Sequence, residues 1–260
     1  KSKHKLILSG TPVENSVNDL WTQMSFINPG LLGNQHFFQS DFVIPIEKKK
    51  DEDSARKLQS LIKPFVLRRT KSQVATELPP KTEHLFYCKM SEEQSEYYEK
   101  VKSEYRNELL KSLEDGTFKN SQVQVLQGLT KLRQISNHPF MIDEDYTGDS
   151  GKFENVIHTL ENVLSRGHKV LIFSQFVKHL DIYRTYFNKE EIPFAYLDGA
   201  TKNRGDVVKE FQENKDIKLF LISIKAGGVG LNLTEADYVF ILDPWWNPAV
   251  EQQAIDRTHR

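Results

Sequence analysis

Arg257 and Arg260 stand three residues apart on a segment that Asn247-Pro248 opens with the grammar of a helix N-terminus. That spacing brings both guanidinium groups to one helix face. Two forked, permanently charged donors side by side suit a polyphosphate, or the charge that develops on a phosphoryl group in transfer. The plainer reading is an i, i+4 ion pair between Asp256 and Arg260 on a solvated helix, worth about 0.2–0.5 kcal/mol. Upstream, Ser223-Ile224-Lys225-Ala226-Gly227-Gly228-Val229-Gly230 follows an apolar run. Glycines there let backbone N–H groups approach a phosphate closely, although a tight strand-to-helix turn accounts for them equally well. No Gly-Lys-Ser/Thr follows, so the stretch is not a P-loop.

Other chemistries find less support. The single cysteine, Cys88, excludes an internal disulfide and any multi-thiolate metal cluster, and fits a reducing compartment. The eight histidines fall at no zinc-like spacing, so no metal site is expected. Asp51-Glu52-Asp53 lies in a lysine-flanked loop and reads as solvated. No Ser-His-Asp or Cys-His arrangement can be built. Trp245-Trp246 reads either as core or as an exposed aromatic edge.

These groups must be positioned by a fold, and the chain has the means to make one. Of its 260 residues 38% are hydrophobic, enough for real cores. The longest apolar run, Tyr238-Val239-Phe240-Ile241-Leu242, is far short of the roughly 20 residues a membrane helix needs. Thirty-five Lys and Arg against 36 Asp and Glu is a balance, so any nucleic-acid surface must be local. The first residue is not Met and the last lies in a helical pattern, so the chain is expected to be a fragment of a longer protein.

Leu6-Ile7-Leu8 before Ser9-Gly10 suits a buried strand. Thr11-Pro12-Val13-Glu14 predicts a helix start, with Val17, Leu20, Trp21, Met24 and Ile27 on one face. Leu58, Leu61 and Ile62 suggest a second helix, ended at Lys63-Pro64. Residues 65–80 read as a linker. Ser91-Glu92-Glu93-Gln94 is a capping box for a long helix, with an antiparallel neighbour through Val125, Leu129, Leu132 and Ile135. From Ser150-Gly151 helices alternate with the strands Lys169–Phe173, Phe194–Leu197, Lys218–Ser223 and Tyr238–Leu242, which predicts right-handed crossovers and a parallel sheet. Ligands on such a sheet sit at the carboxyl ends of its strands. That rule selects Ser174-Gln175, Asp198-Gly199-Ala200-Thr201, Ser223 to Gly230, and Asp243 onward. The linkers near Pro79-Pro80 and Asp143–Gly151 are candidate hinges.

In order, these pieces resemble the Swi/Snf-type DNA-dependent ATPases of helicase superfamily two. Leu8-Ser9-Gly10-Thr11-Pro12-Val13-Glu14-Asn15 resembles motif III. Pro64 through Lys71 and Leu132-Arg133-Gln134-Ile135-Ser136-Asn137-His138-Pro139 are similar to the linker and helical-protrusion blocks. Val170 through Phe176 resembles motif IV, and Ser223 through Leu233 with Asp243-Pro244-Trp245-Trp246-Asn247-Pro248 resembles motif V and its extension. Gln252 through Arg260 resembles motif VI. The wording Asp-Pro-Trp-Trp-Asn-Pro-Ala-Val-Glu is closer to prokaryotic members.

The resemblance implies an α/β fold: a RecA-like parallel-sheet lobe with a helical insertion and the tail of a preceding RecA-like lobe. Residues 1–80 would close the first lobe, 81–148 form the second helical protrusion, and 149–260 the second lobe. The activity implied is ATP-driven translocation on double-stranded DNA, with a DNA-bound protein as the displacement target. Arg257 and Arg260 would be arginine fingers, with Gly230 and Gln252 lining the nucleotide side. Gly10, Thr11, Ser174, Thr201, Ser223, Ala226, Gly228 and Trp246 would meet DNA. ATP and Mg²⁺ would be held mainly by the first lobe; this chain has neither its phosphate-cradling lysine motif nor a strand-borne Asp-Glu pair, so the fragment alone is expected to hydrolyse no ATP. It would be monomeric, from a prokaryotic cytoplasm and associated with the nucleoid. The rival reading is a non-catalytic DNA-binding or docking module with a degenerate ATPase half. A helical interaction platform over residues 91–139 is compatible with the first.

Overall fold

The computed structural model describes residues 2–10, 13, 16–74, 77, 81–115, 122–227, 231, 233–244, 251, 252 and 255. The chain divides into two compact units, residues 1–79 and 80–260.

In the first unit, α1 spans Asn18–Ile27. Its entry is made by Ser16, whose hydroxyl accepts from Asn18 N and whose own N–H donates to Asp19. Thr11, Pro12 and Glu14 of the expected helix start lie outside the described residues. The expected strand at residues 5–8 does not form: Leu6 and Leu8 are 77% and 89% exposed. Strand composition produces a strand only when a neighbour accepts its ladder of hydrogen bonds. A helical stretch that periodicity did not reveal runs through α2 (Gln35–Phe38) and a π-helical segment, Gln39–Lys48, with Pro45 inside it. Asp51 caps α3 (Glu52–Ile62), which Lys63–Phe65 ends in a 3₁₀ turn. Leu20, Met24, Phe38, Phe42, Val43 and Leu58 close the core of this unit. A short helical turn, α4 (Lys71–Val74), interrupts the stretch read as linker.

The second unit opens with a helical hairpin, α5 (Glu92–Glu114) and α6 (Gln122–Asn137). Ser91 caps α5 by accepting from Gln94 N. The Gln94 side chain does not return to the cap as in a reciprocal box. Fully buried, it donates to Ile135 O at 2.7 Å and accepts from Gly151 N at 3.2 Å, joining α5 to α6 and to α7 (Gly151–Ser165). In the candidate hinge at residues 143–151, Ser91 and Tyr146 both donate to Asp149 O and Ser150 donates to Asn137 O, while Pro79-Pro80 lies outside the described residues. Gly151 packs so closely that a Cβ there would lie 1.9 Å from Lys89 O.

Next come β1 (Val170–Ser174), α8 (Val177–Lys189), β2 (Phe194–Leu197), α9 (Arg204–Glu213), β3 (Leu219–Ser223), the one-turn α10 (Ile224–Gly227) and β4 (Tyr238–Ile241). The strands form one parallel sheet in the order β2-β3-β1-β4, with Ser174 level with Ser223. Alternation along each strand builds two cores. Leu171, Phe173, Phe220 and Ile222 pack with Phe211 of α9, and Val170, Ile172, Leu219 and Leu221 pack with Ile157, Leu160, Leu180 and Tyr183 of α7 and α8. Burial of both faces is why β1 and β3 read as unbroken apolar runs.

Candidate functional site

Parallel pairing places Ser174, Thr201, Ser223 and Asp243 at one edge, because Ser174 and Ser223 end β1 and β3 while Thr201 and Asp243 follow the carboxyl ends of β2 and β4. β1 ends in Ser174, fully buried, whose hydroxyl donates to Asp243 Oδ2 at 2.6 Å and accepts from Phe176 N at 3.0 Å. Gln175 N donates to the other Asp243 oxygen at 2.8 Å. Asp243 is only 3% exposed and completes this corner.

His179 lies beneath it, fully buried, with Nδ1 3.8 Å from Asp243 Oδ2, too far for a hydrogen bond. Burial drives its pKa down and outweighs the pull of Asp243, so the imidazole is neutral. His138 is likewise pushed to about 4, first by burial and then by His179. On the other side Lys152 Nζ donates to Asn137 Oδ1 at 2.7 Å and Leu242 O at 3.1 Å. Burial lowers its pKa, and Asp243 opposes that shift.

After β2 the loop Asp198–Thr201 is closed by one carboxylate. Asp198 accepts from Ala200 N, Thr201 N, the Thr201 hydroxyl and Tyr196 OH at 2.9–3.1 Å, and its own N–H donates back to Thr201 Oγ1. Burial works to raise the Asp198 pKa, but these hydrogen bonds prevail and hold it below the usual carboxylate range. Tyr196 is pushed up to about 12 by burial and by the Asp198 charge. Arg184 covers the Tyr196 ring at 4.1 Å from its centroid. Thr201 is half-buried, and Lys202 is exposed beside it.

After β3, Ser223 Oγ accepts from Ala226 N at 3.3 Å and starts α10. Ser223 and Ala226 are buried, while Lys225 between them is exposed. A Cβ at Gly227 would stand 3.0 Å from Phe173 and 3.2 Å from Ile222. A side chain here would press on the sheet's own side chains, which fits the reading of this stretch as a tight strand-to-helix turn.

Gly10 belongs to the first unit and is exposed. Thr11, Gly228, Gly230, Trp246, Arg257 and Arg260 lie outside the described residues; Gln252 is described and exposed. Among the described residues no group of three or more His, Cys, Asp or Glu is placed to hold a metal ion, and no helix is long and apolar enough to cross a membrane. Sequence reasoning marked Asp243 only as the start of a segment, and missed Gln94, Lys152 and His179. A polar side chain at the boundary of an apolar element is the one local signal they carry.

Residues 1–141 match the SNF2-related domain, and residues 151–260 match the helicase conserved C-terminal domain. The chain belongs to the SNF2-related family. A putative ATP-dependent helicase/translocase of Bacillus subtilis is 37% identical over 269 residues, covering all of this chain and 29% of its own length. An uncharacterized ATP-dependent helicase of Mycoplasma genitalium is also 37% identical, over 262 residues, covering all of this chain and 24% of its own length. This SNF2-related chain therefore spans about a quarter of such relatives. The Sulfolobus solfataricus SWI2/SNF2 ATPase core in complex with dsDNA superposes with a TM-score of 0.59 at 37% identity, covering 97% of this chain and 54% of that one. The parallel-sheet lobe is accordingly RecA-like, preceded by the end of the SNF2-related domain.

Proposed function

We propose that the chain is the C-terminal portion of an ATP-driven translocase on double-stranded DNA that displaces or remodels bound protein. The observation that carries this reading is the convergence of Ser174, Thr201, Ser223 and Asp243 on one carboxyl edge of a parallel sheet, in a chain of SNF2-related sequence. The relative solved with dsDNA supports it.

In this reading residues 1–80 close the first RecA-like lobe, 81–148 are a helical protrusion and 149–260 the second lobe. Arg257 and Arg260 are arginine fingers that stabilise charge on the phosphoryl group of ATP, with Gly230 and Gln252 lining the nucleotide. Fingers of this kind contribute about 10³–10⁵ in rate in related hydrolases. Mg²⁺ and most of the triphosphate belong to a lobe bearing the phosphate-cradling lysine, a feature this sequence lacks.

The duplex lies along the carboxyl edge. Thr201, with exposed Lys202 and Lys225, faces phosphates, while Ser174, Ser223, Ala226 and Gly228 shape the loops that reach them. Gly10 and Thr11 couple DNA contact to hydrolysis, and Trp246 presses on the duplex. Phosphate contacts carry no base identity, so movement is largely sequence-independent. The chain alone is monomeric and hydrolyses no ATP. Its place is the prokaryotic cytoplasm, on the nucleoid.

The test is ATP hydrolysis by the full-length protein, with and without duplex DNA, comparing wild type with Arg260→Ala. The expected result is strong DNA stimulation, lost in the variant. A folded wild type that binds DNA yet hydrolyses nothing would replace the motor with a non-catalytic DNA-binding module.

A further inference from the structure

Between β4 and the segment bearing Arg257 and Arg260 the chain turns a corner at Asp243–Pro244, and three elements hold that corner. Ser174 and Gln175, at the end of β1, bind the Asp243 carboxylate. Lys152 of α7 binds Leu242 O. The third hold comes from the helical hairpin: Arg133 of α6 donates from Nη2 to Pro244 O at 2.6 Å, across 111 residues of sequence. Its guanidinium also lies 5.9 Å from the centroid of the Phe176 ring. Phe176 is the residue from which α8 departs, so one planar cation touches the chain at two strand ends.

Pro244 is exposed, and an exposed carbonyl ordinarily bonds water without constraining the chain. Here a charged donor replaces water, and such bonds are shorter and more directional than neutral ones. Arg133 is half-buried and belongs to none of the three apolar cores. Its contacts constrain where the chain leaves the sheet and do little for burial. Asn137, one turn further along α6, reaches the same corner through Lys152, so the end of α6 and the corner form one connected polar network.

We propose that Arg133 is a positioning residue for the arginine-bearing segment. The helical hairpin acts through it as a strut, fixing the exit from β4 at Leu242–Pro244, from which the chain runs on toward Arg257 and Arg260. This role rests on the translocase reading given above. It is distinct from contact with nucleotide or DNA, since Arg133 works on a backbone carbonyl of its own chain.

The experiment uses Arg133→Ala and Arg133→Lys in the full-length protein and reads two quantities. The first is backbone hydrogen exchange. In Arg133→Ala, peptides from residue 243 onward exchange about tenfold faster, while those from β1 and β3 keep their protection. The second is hydrolysis: kcat in saturating duplex DNA falls about 10- to 100-fold, with the KM for ATP and the affinity for DNA within about twofold of wild type. Arg133→Lys, which keeps a cationic donor, restores part of both. An unchanged kcat beside a DNA-stimulated wild type overturns the proposal, and so does lost protection throughout the sheet. If wild type hydrolyses nothing, the translocase reading fails, and the exchange measurement still decides whether Arg133 is a strut.

Discussion

Ser174 and Asp243, 69 residues apart, share a buried 2.6 Å hydrogen bond that joins the carboxyl end of β1 to the exit from β4. The two strands are neighbours in the sheet, so the bond closes the edge at which the candidate site gathers. A carboxylate that is 3% exposed must be satisfied by donors, and the Ser174 hydroxyl with the Gln175 N–H meets that need. The edge is therefore held in shape before any ligand arrives.

Replacing Asp243 with Ala leaves Gln175 N–H without its acceptor, leaves the Ser174 hydroxyl only the longer bond to Phe176 O, and removes the carboxylate facing His179 and Lys152. The expected cost is about 3 kcal/mol. Urea unfolding of the two proteins measures it; a difference under about 1 kcal/mol contradicts the role assigned to this carboxylate.

Gly151→Ala sets a methyl group against Lys89 O, a backbone atom that cannot swing away. Either α7 or the segment before α5 must shift, which disturbs the Gly151 N to Gln94 bond. The expected loss is about 2–4 kcal/mol, above the ordinary range for overpacking because the obstacle is main chain. Thermal unfolding tests it, with Gly167→Ala as an unsuitable control (φ +87°) and Gly205→Ala, open on all sides, as the suitable one.

Acid should weaken the second unit well before carboxylates titrate. His138, held at about 4, and His179, also lowered, are neutral in the folded chain, whereas an unfolded histidine protonates near 6.5. The unfolded state thus binds more protons below about 6.5, so the histidine contribution is complete above that pH and is lost as pH falls toward 4. His138→Phe should flatten stability against pH in this window. A profile as steep as that of wild type would show that His138 is not the group responsible.

Asp198 acts on DNA, in the proposed reading, only by closing the loop that carries Thr201. Asp198→Ala should weaken duplex binding about threefold to tenfold while leaving its salt dependence unchanged, because no cation is removed. Lys225→Ala, which deletes an exposed charge, should lower the slope of log K against log salt by about 0.9. Binding titrations across a salt series separate the two; identical slopes for Lys225→Ala and wild type would remove Lys225 from the interface.

Local residue order determined the elements whose causes are local. The unbroken apolar runs Val170–Phe173 and Leu219–Ile222 become strands buried on both faces, and the Ser91 cap starts α5 where the capping pattern places it. The order of family motifs was legible as well, since motifs are contiguous words. What only the tertiary structure decided are relations between distant residues: Ser174 with Asp243, Gln94 with Ile135 and Gly151, Arg133 with Pro244. A serine, a glutamine and an arginine look the same in sequence whether they face water or a buried partner. Leu6-Ile7-Leu8 makes the converse point, with strand composition and no strand. Composition expresses a preference for burial and extension, and only a neighbour supplied by the fold can satisfy it.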